Sequence, residues 1–134
     1  MINTRKTTQD ILQEEMLRER AATLARAGER LAEVLERLHE MEGEIATGVA
    51  LCEDWERAGA DGVGGLSAGA DGGDRQRFLQ ELNGKIQAYN RQRENARTCY
   101  YYLIVTREAL GIIHHQRLEE FYRIPPKRRC LPEG

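Results

Sequence analysis

The sequence predicts an all-α fold: a long antiparallel helical hairpin of coiled-coil character, closed by a short C-terminal helix and dimerising into a helical bundle. Three observations carry it. Apolar residues recur every seven positions through two long runs, a glycine-rich break separates the runs, and the runs carry opposite net charge. The expected organisation is one helical domain over 1–134: helix 1 over 8–57, a flexible loop over 58–73, helix 2 over 74–110, helix 3 over 114–122 and a basic, proline-containing tail over 123–134.

Helix 1 has Thr7 as its N-cap and Asp10 in the first turn, where a carboxylate meets the positive end of the helix dipole. Leu17, Leu24, Leu31, Leu38, Ile45 and Cys52 share one heptad position, and Ala21, Gly28, Leu35 and Val49 fall four residues later on the expected partner position. Flanking positions add Ala25, Ala32 and Ala46 on one side and Ala27, Val34, Met41 and Trp55 on the other. A stripe this wide needs more than one neighbouring helix. Gly28, Gly43 and Gly48 each weaken a helix interior by about 1 kcal/mol relative to alanine. With Glu42 placing a charge on the seam, residues 42–48 are where the helix would bend or stutter.

Residues 58–73 contain seven glycines and the string AGADG twice, ten residues apart, with no periodicity. Two Asp-Gly copies at that spacing have neither the period nor the stacked turns of calcium-binding nonapeptide repeats, so a flexible linker is the reading. Helix 2 is expected to open at Asp74 as N-cap. Its seam is Leu82, Tyr89, Ala96, Leu103 and Leu110, with Leu79, Ile86 and Tyr100 on the partner position and Gly111 as a left-handed C-cap. The run Cys99-Tyr100-Tyr101-Tyr102-Leu103-Ile104-Val105 has strand-favouring residue types, but the heptad passes through it without a shift, so helix is preferred to strand. Helix 3 presents Leu118, Phe121 and Tyr122 and stops at Pro125-Pro126.

The formal net charge of −2 conceals a division. Residues 8–57 hold 6 basic and 13 acidic side chains, whereas 74–134 hold 12 and 7. An acidic helix folded back on a basic one is electrostatically favoured over like pairing with like. Helix 1 outlasts helix 2, and the third helix is the right length to cover the overhang. A lone hairpin would still leave about half of each apolar face wet. At roughly 25 cal/mol per Å² of apolar area that is a large unrealised stabilisation, which points to a homodimer. The interface candidates are Leu17, Leu24, Leu31, Leu35, Leu38, Tyr89, Tyr100 and Leu103.

Evidence for chemistry is thin. Cys52, Cys99 and Cys130 are odd in number and show no CxxC spacing, so they read as free thiols in a reducing compartment rather than as a disulfide framework or a zinc site. His114 and His115 with Glu119 and Glu120, and Glu36 with His39, are the nearest approaches to a ligand cluster. Neither supplies enough donors, and a solvated helix face outweighs both. No phosphate-cradling glycine motif and no nucleophile elbow is present, so no catalytic residue, metal or cofactor is assigned and the expectation is a non-enzymatic protein. With 17 arginines against 3 lysines the composition fits a GC-rich bacterial source, and the chain lacks an apolar stretch long enough to span a bilayer or to serve as a signal-peptide core, so a cytoplasmic location is expected.

Two functional readings remain. The leading one is a structural or protein-interaction module, chaperone-like or adaptor-like, holding another protein's helix in its wide groove. The alternative is a nucleic-acid-associated regulatory protein using Arg123, Lys127, Arg128 and Arg129 of the basic C-terminal half, to which Arg91, Arg93 and Arg97 add, although Arg93 sits on the seam and could pair with the acidic helix.

The stretch from Tyr100 to Gly111, with its aromatic run and Arg107-Glu108-Ala109-Leu110-Gly111 helix end, is followed by a short helix and the stop Tyr122-Arg123-Ile124-Pro125. These thirty or so residues resemble the C-terminal half of a small bacterial helical family built on a domain of unknown function. The resemblance implies a helical fold and a packing signature, and it transfers no active site.

Overall fold

Local signals set the helix ends. In the computed structural model, which describes residues 7–60 and 72–133, helix α1 runs over Thr8–Ala60. Thr7 and Asp10 cap it reciprocally: the Asp10 N–H donates to Thr7 Oγ1 at 3.2 Å and the Thr7 N–H donates to Asp10 Oδ2 at 3.1 Å. Helix α2 runs over Gly72–Ala109. Its end follows the Schellman pattern: Gly111 has φ +87°, its N–H donates to Glu108 O at 2.9 Å, and the Ile112 N–H donates to Arg107 O at 2.9 Å. A short α3 occupies Gln116–Phe121.

Several expectations are corrected here. Asp74 is not the N-cap of α2 but lies in its first turn, two residues inside. The preference for helix over strand at residues 99–105 holds: they are helical throughout, and the described residues contain no strand. Residues 42–48, where a bend or stutter was expected, lie within the continuous α1. The third helix is six residues long rather than nine, with His115 outside it as N-cap. Most of the glycine-rich loop, 61–71, lies outside the described residues together with the paired Asp-Gly motif.

The chain divides into two units, one formed by Met1–Glu33 with Arg97–Arg123 and the other by Val34–Ala96 with Ile124–Gly134. In the second, α1 and α2 pack antiparallel. Contacts run in opposite chain order: Gly48 against Leu82, the Trp55 ring edge-on to Phe78 at 5.6 Å, and the Arg75 guanidinium 3.1 Å from Glu56. Val34, Leu38, Ile45 and Cys52 from α1 are buried with Leu79, Leu82, Ile86, Tyr89 and Ala96 from α2. After Leu31 and Ile45 the buried partner on α1 lies three positions on, at Val34 and Gly48, rather than four on, where Leu35 and Val49 are only half-buried. Gly48 is required at its place, since a Cβ there would stand 2.6 Å from Leu82 Cδ1. The helix therefore keeps a poor helix former at this position to let α2 approach.

In the first unit the buried residues are Leu31, Cys99, Leu103 and Leu118, and Tyr122 lays its hydroxyl over Gly28, 3.3 Å from where a Cβ would be. The third helix does not cover the start of α1, and Ile11, Leu12, Met16 and Leu17 stay exposed.

Candidate functional site

Large apolar side chains are exposed in the first unit to an unusual degree. Leu17 is 64% exposed, Ile113 70% and Phe121 82%, and Ile11, Leu12, Met16, Tyr101, Tyr102 and Val105 are open as well. Leu17 continues the heptad of Leu24 and Leu31, so the period that buries Leu31 reaches the N-terminal turns of α1, where Leu17 stays exposed among the described residues. Beside it runs an open groove of about 410 Å³ whose apolar lining is Met16 from α1 and Val105, Ala109 and Leu110 from the α2 end, with Glu19, Arg20, Thr23 and Thr106 as its polar rim. Apolar floor with polar rim is the composition of a protein-protein contact rather than of a small-molecule cavity.

The junction between α2 and α3 carries a polar network. Arg107 Nε donates to His115 Nδ1 at 3.3 Å and Arg107 Nη2 donates to His114 O at 3.1 Å. Because Nδ1 accepts, the His115 proton sits on Nε2, which donates to Glu108 Oε1 at 3.2 Å. His115 thus serves the turn and pairs with Glu108. Nearby, burial pushes the Tyr100 hydroxyl above its ordinary pKa, with Glu119 adding to the rise and Arg107 opposing it. Glu36 and His39 are both exposed, and among the described residues no three His, Cys, Asp or Glu side chains come together as a metal site would require. Cys52 is buried, and burial raises its thiol pKa, Arg75 opposing and Glu56 adding; it packs as a small hydrophobe.

In the second unit the C-terminal run, read in the sequence as a basic, proline-containing tail, is tied to α2 by hydrogen bonds. Asn83, which is 5% exposed, Tyr89, Asn90 and Arg93 all hydrogen-bond to it. Arg93 therefore does not pair with the acidic helix: its Nε donates to Pro125 O at 2.8 Å and its Nη1 lies 3.1 Å from Glu94. Glu42, the charge on the α1 seam, is half-buried and has the Arg128 guanidinium 3.5 Å away.

Compared with protein-family models, with curated proteins and with solved structures, the chain matches none of them. Its residues are therefore weighed on geometry alone. Of the interface candidates, Leu31, Leu38, Tyr89 and Leu103 are buried inside their own units, Leu24, Leu35 and Tyr100 are half-buried, and Leu17 is fully open. Of the basic residues, Arg123, Lys127 and Arg129 are exposed and Arg128 is half-buried against Glu42. The residues that sequence reasoning passed over are Asn83 and Asn90. A signal existed, since two asparagines seven apart next to the seam are weak helix formers held at one heptad position. Nothing in a heptad reading says what such a pair would bind.

Proposed function

We infer that the chain is a non-enzymatic protein-interaction module that self-associates through the first unit, with a second copy of the chain covering the start of α1. The observation that carries this reading is the concentration of exposed large hydrophobics there, in a part of α1 where the heptad period continues with nothing packed on it. A repeat that recurs every seven residues is matched by an identical repeat from another copy, and Glu14, Glu15 and Glu19 lie among Arg18, Arg20 and Arg26 so that an antiparallel pairing sets acid against base. Burying even four leucine-sized side chains contributes several kcal/mol, roughly 1.5–3 for each.

Sedimentation equilibrium tests the reading. The wild-type chain is expected to be a dimer at micromolar concentration, and Leu12→Glu with Leu17→Glu is expected to give a monomer whose helix content by circular dichroism is unchanged. A wild-type monomer overturns it. The alternative, nucleic-acid binding by the C-terminal arginines, is supported by the exposure of Arg123, Lys127 and Arg129 and weakened by the ion pair that engages Arg128. Salt-dependent retardation of DNA or RNA that is lost in the triple Ala variant of those exposed residues would favour it.

A further inference from the structure

The attachment of the C-terminal run to α2 has a chemical logic that packing alone does not require. Residues 124–133 belong to no helix or strand, and side chains of α2 take their main-chain polar atoms instead. Proline offers a carbonyl but no N–H. Opposite the two prolines α2 places groups acting as donors, Arg93 Nε to Pro125 O at 2.8 Å and Tyr89 Oη to Pro126 O at 3.0 Å. Opposite residues that offer both an N–H and a carbonyl it places carboxamides, which both donate and accept. Asn90 Nδ2 donates to Arg128 O at 2.8 Å and Asn90 Oδ1 accepts from the Arg128 N–H at 3.0 Å. Asn83 Nδ2 donates to Leu131 O at 2.9 Å and Asn83 Oδ1 accepts from the Leu131 N–H at 2.7 Å. Two side-chain contacts are added, Asn83 Nδ2 to Glu133 Oε1 at 3.2 Å and Arg128 to Glu42 at 3.5 Å.

The register follows from the two periodicities. Asn83 and Asn90 are two helical turns apart, about 10.5 Å, and three residues of extended chain cover about 10 Å, so carboxamides seven apart on a helix meet peptide groups three apart on an extended strand. Lys127, Arg129 and Cys130 are exposed, so recognition rests on backbone, on the two prolines and on one basic position facing Glu42. The backbone hydrogen bonds of α2 are internal to the helix, so the row of donors and acceptors stands whether or not the run occupies it.

We propose that this face of α2 is a binding site for an extended peptide of the pattern Pro-Pro-x-Arg continued by at least three residues, held mainly by its backbone, with the chain's own C-terminal run as resident ligand and a like segment of another polypeptide as the ligand that replaces it. The site lies in the second unit and is independent of the self-association surface.

Fluorescence anisotropy with a labelled synthetic peptide of residues 124–133 tests it on the full-length chain. In the Arg128→Pro, Leu131→Pro chain the tail loses the two N–H groups that the carboxamides accept, while α2 is unaltered. That chain is expected to bind the peptide at least ~10-fold more tightly than the wild type, where the tethered tail competes at a millimolar effective concentration. Adding Asn90→Leu to the double variant is expected to weaken binding at least ~10-fold, as loss of two paired hydrogen bonds implies. A peptide carrying proline at the positions of Arg128 and Leu131 is expected not to bind. Equal affinity of wild type and double variant, or affinity indifferent to Asn90→Leu, overturns the proposal. Hydrogen exchange on the unsubstituted chain gives a readout that no folding defect can obscure: millimolar peptide is expected to speed exchange at the Arg128 and Leu131 amides at least twofold, and unchanged exchange there overturns the proposal.

Discussion

The two units of the chain use the same two helices in opposite ways. The second encloses its apolar residues: Leu38, Ile45, Ile86 and Tyr89 are buried, Gly48 lets Leu82 in close, and the run after Ile124 is fixed by hydrogen bonds from α2. The first buries Leu31, Cys99, Leu103 and Leu118 and leaves more large hydrophobics open than it encloses, among them Leu17, Ile113 and Phe121. Enclosed and exposed apolar residues are thereby drawn from different stretches of one repeating pattern. A heptad residue at position 38 is a core residue, and one at position 17 is a surface residue with the same chemistry.

That contrast can be broken most sharply at its two ends. Leu38→Ala removes a fully buried side chain and is expected to lower unfolding free energy by about 3 kcal/mol, read from the urea midpoint by circular dichroism. Leu17→Ala is expected to change it by less than about 0.5 kcal/mol at concentrations where the chain is monomeric. A comparable cost at the two positions would erase the distinction between the units. Within the second unit, Gly48→Val forces a side chain into the space held by Leu82 and is expected to cost about 2 kcal/mol, whereas a Cβ at Gly43 meets nothing within 4 Å and Gly43→Val is expected to be neutral or slightly stabilising, since valine is a better helix former than glycine.

The smallest effect compares one tyrosine from each unit. Burial raises the Tyr89 hydroxyl above its ordinary pKa of 10.0, with Glu42 adding to the rise and Arg128 and Arg93 opposing it; burial, with Glu119, does the same for Tyr100. Each group ionises more readily in the unfolded chain than in the folded one. Their contribution is therefore intact below pH 10.0 and is lost as pH rises through the higher folded values. Urea midpoints are expected to hold steady up to that point and to fall beyond it. Tyr89→Phe and Tyr100→Phe each remove part of the fall, and the share each removes measures how tightly its unit encloses the ring.

How much of this could be read from residues alone differs by element. The helices were legible because their signals are local: the Thr7 and Asp10 cap, the heptads, and Gly111 as C-cap. The strand-like run at 99–105 could be assigned to helix because the seven-residue period crosses it unshifted. The partner position on α1 was misplaced because a stripe with apolar residues at Ala27, Val34 and Met41 as well as at Ala21 and Leu35 has two equally apolar flanks, and only the approach of α2 selects one. The overhang was foreseeable from helix lengths, but its cover was not, since a third helix of six residues is too short for the task.

The sequence by itself determined the all-α class, the start of α1, the glycine stop of α2 and the main heptad position of each long helix, because capping, period and propensity act over a few residues and need no partner. Tertiary structure alone decided which part of the seam is enclosed and where the C-terminal run lies. Enclosure depends on what arrives from far along the chain, as Leu82 arrives at Gly48. The run is held by side chains 32 to 48 residues away from the backbone they bind, Arg93 to Pro125 and Asn83 to Leu131. Nothing in a run of prolines and arginines says that its backbone, rather than its charge, is what the protein uses.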